Sequence, residues 1–156
     1  MKWYISFLLV LLALGFQSCE NPNAVLDEQL PIESTNWTYD KPIRIKVNID
    51  DNRIPYSIFV NLRHTADYKY SNIFFRIHQI NPDKKSISFR KEYRLSNPDG
   101  EWLGRGSGNL YSYILPLFAH YRFPAKGTYI FVIEQNMRDN PLREISDVGL
   151  RIEKAK

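Results

Sequence analysis

A single cysteine, Cys19, carries all the thiol chemistry available to this 156-residue chain. One cysteine forms no intrachain disulfide and builds no cysteine-based zinc site, so the stability of a folded domain here has to come from its core. Histidine is nearly as scarce. His64, His78 and His120 stand apart, none with a second His or Cys at metal-ligand spacing, so no metal is expected. No serine sits in a Gly-x-Ser-x-Gly elbow, because "GRGSG" at residues 104–108 spaces its glycines differently. The same stretch lacks the lysine and following helix of a phosphate loop, and reads as a loop. Asp50 and Asp51 lie in a turn without the alternating oxygens of a calcium loop. No cofactor and no enzymatic activity are expected. A dominant charge is missing too: the formal net charge is only +4, and the basic residues are scattered among acidic ones. A nucleic-acid binder gathers its cations into a stripe. The weak cluster Lys84, Lys85, Arg90, Lys91 and Arg94 reads instead as the solvated face of a hairpin, and nucleic acid is excluded as a partner.

What is present begins at the N-terminus. "MKWYISFLLVLLALGFQSC" has Lys2 ahead of an apolar stretch from Trp3 to Phe16, broken only by Ser6. That is the layout of a signal peptide, with a basic start, an apolar middle of about 7–15 residues and small residues before the cut. It is short of the roughly 20 apolar residues a membrane-spanning helix needs. A cysteine preceded by the small Ser18 resembles the lipobox of bacterial lipoproteins, in which the thiol is acylated and the peptide is cut just before it. Phe16 and Gln17 depart from the commonest lipobox residues. A lipoprotein signal peptide is therefore expected at residues 1–18, with Cys19 as the site of lipid attachment. A plain cleaved signal peptide and a retained anchor are the alternatives. Residues 19–40 carry two prolines, Pro22 and Pro31, with a third just beyond at Pro42, show no clear period, and read as a tether leading to a single domain at 41–156.

In that domain "IRIKVNI" alternates without a break, Ile43, Ile45, Val47 and Ile49 sharing one face. "YSIFVNLRH", "NIFFRIHQI", "SISFRKEYRL", "GTYIFVIEQN" and "DVGLRIEK" repeat the period of two, separated by the turn signals "DDNRIP", "NPDKK", "NPDGEW" and "FPAKG". His64 is expected at the start of a polar turn and His78 on an outward face. No stretch shows a capped helical period. The fold class predicted is all-β: an antiparallel β-sandwich, jelly-roll or immunoglobulin-like, of about seven to eight strands.

"LYSYILPLFAHYRF", residues 110–123, is nearly all apolar or aromatic and has no charge before Arg122. It reads as a buried strand broken at Pro116, or as a sticky surface for a protein or a membrane. On the second reading Trp102, Tyr111, Tyr113, Leu115, Leu117 and Phe118 are the candidate interaction surface. Trp37, Trp102, Tyr111 and Tyr113 would equally form a sugar-stacking platform, which keeps a glycan as an alternative partner.

The order of several segments resembles the GldH-type gliding motility lipoproteins of Bacteroidetes-type bacteria. The resemblance rests on Asn61, Leu62 and Arg63 at a strand end, Tyr70 to Phe74 in "YSNIF", "NPDGEWLGRGSG", "YRFPAKGTYIF" and the closing "DVGLRI" at Asp147 to Ile152. Between Gly106 and Phe123 this chain is more apolar than the family pattern. The resemblance implies a non-enzymatic palmitate-bearing lipoprotein of the cell outer membrane, required for gliding and associated with type IX secretion. Its membrane partner is reached through the N-terminal lipid, and its protein partners are other gliding motility or secretion proteins, which it would scaffold or stabilise. A carbohydrate- or peptidoglycan-binding sandwich lipoprotein is the alternative function. Only Glu20 is acidic directly after Cys19, which points to a periplasm-facing position and away from surface export.

Overall fold

Alternation of apolar and polar side chains is realised as antiparallel strands in the computed structural model, which describes residues 22–155. The long strands are β1 (Ala24–Pro31), β3 (Ile43–Ile49), β4 (Tyr56–Thr65), β5 (Asn72–Ile80), β6 (Ser86–Arg94), β8 (Leu110–Tyr121), β9 (Gly127–Gln135) and β11 (Ile145–Lys154). Three short strands of two or three residues complete the set: β2 (Asn36–Trp37), β7 (Arg105–Ser107) and β10 (Leu142–Arg143). One sheet runs β1-β11-β4-β8-β7, the other β3-β9-β5-β6, and β2 pairs with β10.

The two sheets bury their inner faces against one core. Ile58, Val60 and Leu62 of β4, Val148, Leu150 and Ile152 of β11, and Tyr113, Leu115 and Leu117 of β8 supply one side. Ile73, Phe75 and Ile77 of β5, Tyr129, Phe131 and Ile133 of β9, and the buried set of β3 supply the other. Each such side chain contributes about 1.5–3 kcal/mol on leaving water, which is how a domain without disulfides holds together. The open side between β8 and β6 is closed by side chains. Phe89 meets Phe118 edge-on at 5.0 Å, and the Tyr93 hydroxyl donates to the Pro116 carbonyl at 2.9 Å. Pro116 offers no N–H, so this free stretch of β8 presents a poor template for a further strand.

Four expectations shift. The all-β sandwich stands, but with eleven strands among the described residues, because two- and three-residue ladders leave no periodic trace. The stretch read as tether is structured from Ala24 onward: β1 pairs with β11 from Ala24↔Glu153 to Pro31↔Asp147, and Trp37 is buried beside Phe75. β1 hides from pattern reading because it is an outer strand, only half-buried on its inner side, with a register shift between Ala24 and Leu26. β8 runs through Pro116 instead of breaking there; β7 pairs only with its first residues, leaving Pro116 on the free edge. In β6 the phase of Ile87, Phe89 and Tyr93 is right but Ile87 stays exposed, as befits an edge strand.

Candidate functional site

The two sides of β4 carry the polar side chains that the fold gathers most closely. Outward, the register sets Arg63 opposite Asp147, Asn61 opposite Gly149 and Phe59 opposite Arg151. On the flanks, Ile114 of β8 faces Asn61, and Asp27 of β1 faces Arg151. Arg63 Nε donates to Asp147 Oδ2 at 2.7 Å, and the Ser146 hydroxyl donates to the same oxygen. Burial pushes the Asp147 carboxyl up, but these donors outweigh it and hold the group below the usual aspartate value. Asn61 Nδ2 donates to Asp27 Oδ1 at 2.9 Å, and Arg151 lies 3.7 Å from the other oxygen of Asp27 while also pairing with Glu153. Asn61 is only 4% exposed, and its Oδ1 has no hydrogen-bond partner among the described residues. Gly149 is required where it stands: a Cβ there would lie 2.1 Å from the Glu28 carbonyl of β1.

Beside this network the surface turns apolar. Ile114 is 55% exposed and Leu103 52%, and both line a shallow depression of about 330 Å³ with Arg105 and Ser112 at its rim. Leu103 belongs to the strap "WLGRG", which leads into β7 alongside β8. The glycine spacing of the strap is steric, since a Cβ on Gly104 would meet the Tyr113 ring at 2.5 Å and one on Gly106 the Tyr111 ring at 2.7 Å.

Inward, directly beneath, His64 is fully buried among aromatic rings. Trp102 meets it edge-on at 4.5 Å, Tyr113 stacks at 5.2 Å and Tyr111 at 5.9 Å, and Tyr68 lies 5.0 Å away. His64 Nδ1 lies 2.7 Å from the Thr65 carbonyl, so that nitrogen carries the proton. Nε2 is 3.1 Å and the Leu95 carbonyl 2.8 Å from the Tyr113 hydroxyl, whose single proton the two acceptors share between them. Burial pushes the imidazole pKa down, against the upward pull of the Thr65 carbonyl. A neutral, enclosed imidazole with no nucleophile or free carboxylate beside it does packing and hydrogen-bonding work. It ties β4 to β8 and to the chain after β6.

The residues expected from sequence fall as follows. Cys19 and the segment 1–18 lie outside the described residues. Tyr113, Leu115 and Leu117 are core residues, pointing inward as the odd positions of β8, so they present no interaction surface. Trp102 and Tyr111 are half-buried around His64, and Phe118 is half-buried against Phe89 and Tyr121. The exposed apolar residues of this region are Ile114 and Leu103, the neighbours of those expected. The four aromatics named for sugar stacking form no common platform: Trp37 is buried against Phe75 with its Nε1–H given to the Lys41 carbonyl, Tyr113 is buried too, and only Trp102 and Tyr111 stay half-buried side by side. His64 is no turn residue; it continues the inward phase of Ile58, Val60 and Leu62, a signal present in the alternation itself. His78 lies outward as expected, 3.4 Å from Glu134. Arg63, Asp147 and Asn61 escaped residue-by-residue reading, since 84 positions separate Arg63 from Asp147 and only strand register joins them. Among the described residues no three His, Cys, Asp or Glu side chains are grouped to hold a metal.

The two segments that meet on this face, "NLR" and "DVGLRI", are among those that carry the resemblance to known proteins, and comparison bears it out. The profile of the GldH lipoprotein family matches residues 24–152. The chain belongs to the GldH lipoprotein family. A gliding motility lipoprotein GldH homolog of Christiangramia forsetii is 35% identical over 96% of this chain and 94% of its own length. The gliding motility lipoprotein GldH of Flavobacterium johnsoniae is 30% identical over 95% of both chains. Among solved structures, the infectious bursal disease virus VP2 subviral particle aligns with 85% of this chain and 32% of its own, at 14% identity and a TM-score of 0.33, too remote to carry an argument. The GldH match begins at Ala24, the first residue of β1, so that strand belongs to the family domain and not to a variable leader. Two of the segments within the matched region thus have physical meanings here: "DVGLRI" supplies the close β1–β11 approach and the Asp147 pair, and the "WLGRG" strap caps the buried histidine.

Proposed function

We propose that this protein is a lipid-anchored, non-enzymatic component of the gliding motility machinery, linked to type IX secretion. Cys19 holds it at the outer membrane facing the periplasm, and the outer face of the β1-β11-β4-β8-β7 sheet docks on another motility lipoprotein, which it scaffolds or stabilises. Membership in the GldH family is the observation that carries this reading. The face supports it in a specific way. Its charges already satisfy one another within the sheet, while Leu103 and Ile114 stand exposed beside them. A contact built on a small apolar centre with pre-paired charges around it costs less desolvation than one that covers unpaired charges. Multiple acyl chains make membrane attachment persistent where a single one is marginal, and tethering raises the local concentration of the face near membrane partners without a large interface.

The lipid tether is the test. Cys19→Ser is expected to move the protein from the membrane to the soluble fraction and to abolish colony spreading in a gliding strain, at unchanged expression of the domain. Normal spreading from a fully soluble variant overturns the reading.

A further inference from the structure

The two ends of the sandwich differ in charge, and the chain enters at one of them. Asn23, immediately before β1, accepts from the Lys154 N–H at 2.9 Å, and Ala155 N–H reaches the Pro55 carbonyl at 3.0 Å. The turns at 50–55, 81–85 and 122–126 gather at this same end. Asn52 Nδ2 donates to the Pro124 carbonyl at 3.3 Å, Arg122 bonds the Arg53 carbonyl, and Gly127 lies against Pro82. Arg53, Lys84, Lys85, Arg122, Lys126 and Lys154 are all exposed here, against Asp50, Asp51 and Asp83, which makes six cations to three carboxylates besides Glu153, which pairs with Arg151. Two of those carboxylates are already spoken for, Asp51 by Arg53 at 2.9 Å and Asp83 by Lys85 at 3.5 Å. The opposite end, formed by segments 32–42, 66–71, 95–104 and 136–144, carries Glu33, Asp40, Asp67, Asp99, Glu101, Asp139 and Glu144 against Lys41, Lys69, Arg138 and Arg143, seven carboxylates to four cations.

We propose that the basic end is a membrane-contacting surface that takes the phosphates of anionic lipid headgroups, so that the domain stands on the bilayer with its acidic end outward. The proposal rests on the lipid-anchor reading above. Four residues separate Cys19 from Asn23, a reach of at most about 14 Å, so a lipid on Cys19 keeps this end beside the headgroups. Cations within a Debye length of an anionic surface are attracted and carboxylates repelled, and both ends of the molecule then favour one orientation. The outer face of the β3-β9-β5-β6 sheet is the rival contact, since Arg44, Lys46 and Arg76 lie outward there.

The experiment uses the lipidated full chain in vesicles of phosphatidylethanolamine with about one-third phosphatidylglycerol. An acylated Cys19 has no free thiol, so a fluorophore on Lys84→Cys or on Asp99→Cys reports one site at a time. Headgroup nitroxides are expected to quench the label at 84 and leave the label at 99 unquenched. In the Cys19→Ser background, the triple variant Lys84→Gln, Lys126→Gln, Lys154→Gln should bind the same vesicles more weakly, by roughly fivefold for each lysine removed. Arg44→Gln with Lys46→Gln and Arg76→Gln should bind as the parent does. Equal quenching at 84 and 99 in membrane-bound protein overturns the orientation while the anchor stands, as does a larger loss from the sheet-face triple. A wild-type chain recovered only in the soluble fraction overturns the anchor, and the orientation with it.

Discussion

At the scale of single residues, His64 shows how an ionisable group earns a structural role. Its ring is enclosed by Trp102, Tyr68, Tyr111 and Tyr113, and charging it would place an imidazolium where water does not reach. Because burial lowers its folded-state pKa below the unfolded value of about 6.5, the unfolded chain binds the proton first. The contribution of His64 to stability is therefore full above that pH and declines as pH falls through it, by up to about 1.4 kcal/mol at one pH unit below. His64→Gln keeps a donor for the Thr65 carbonyl and does not titrate. Urea unfolding at pH 7.5 and 5.5 is expected to show the variant less stable at the higher pH, with a flatter dependence between the two. Parallel pH profiles for the two proteins would refute the assignment. Asp147 works in the opposite range, since its lowered pKa makes the Arg63 pair a contribution that disappears only as pH falls through the carboxylate region.

At the scale of elements, packing decides what a pattern reader sees. β3 was legible in full because every second residue faces a covered core, and a one-residue slip would turn all four aliphatics to solvent. β1 was not, because an outer strand is held by its ladder and by how closely its neighbour lets it approach. That approach depends on Gly149, where a Cβ would overlap the Glu28 carbonyl and crowd Gln29. Gly149→Ala is expected to displace β1, destabilising the domain by about 1–3 kcal/mol. Amide exchange should then accelerate across 26–30 and remain slow in β4 and β9. Uniform acceleration throughout the sandwich, or none, would show that β1 does not depend on this contact. The strap at residues 102–106 follows the same logic. Its glycines looked like a flexible connector in sequence, and they turn out to be the positions where two tyrosine rings leave no room for a side chain.

At the scale of the whole molecule, attachment and docking occupy different parts of the chain, so they can be separated. The proposed anchor is at the N-terminus, whereas the proposed docking centre sits on the outer face of the larger sheet, around Ile114 and Leu103. Sequence reading named core-facing residues of this strand, Tyr113, Leu115 and Leu117, because within a strand the core-facing and solvent-facing side chains alternate and both sets are apolar in "YILPL". Ile114→Arg combined with Leu103→Asp changes only exposed side chains and is expected to alter stability by no more than about 0.5 kcal/mol per site. Such a variant should remain in the membrane fraction with wild-type thermal unfolding, yet lose colony spreading. It should also lose any crosslinks to other motility lipoproteins that the proposed docking predicts for the wild-type face in intact membranes. Full spreading from this stable, membrane-bound double variant would place the working surface elsewhere on the sandwich. Loss of spreading with the fold and anchor intact would localise the scaffolding contact to β8 and the strap alongside it.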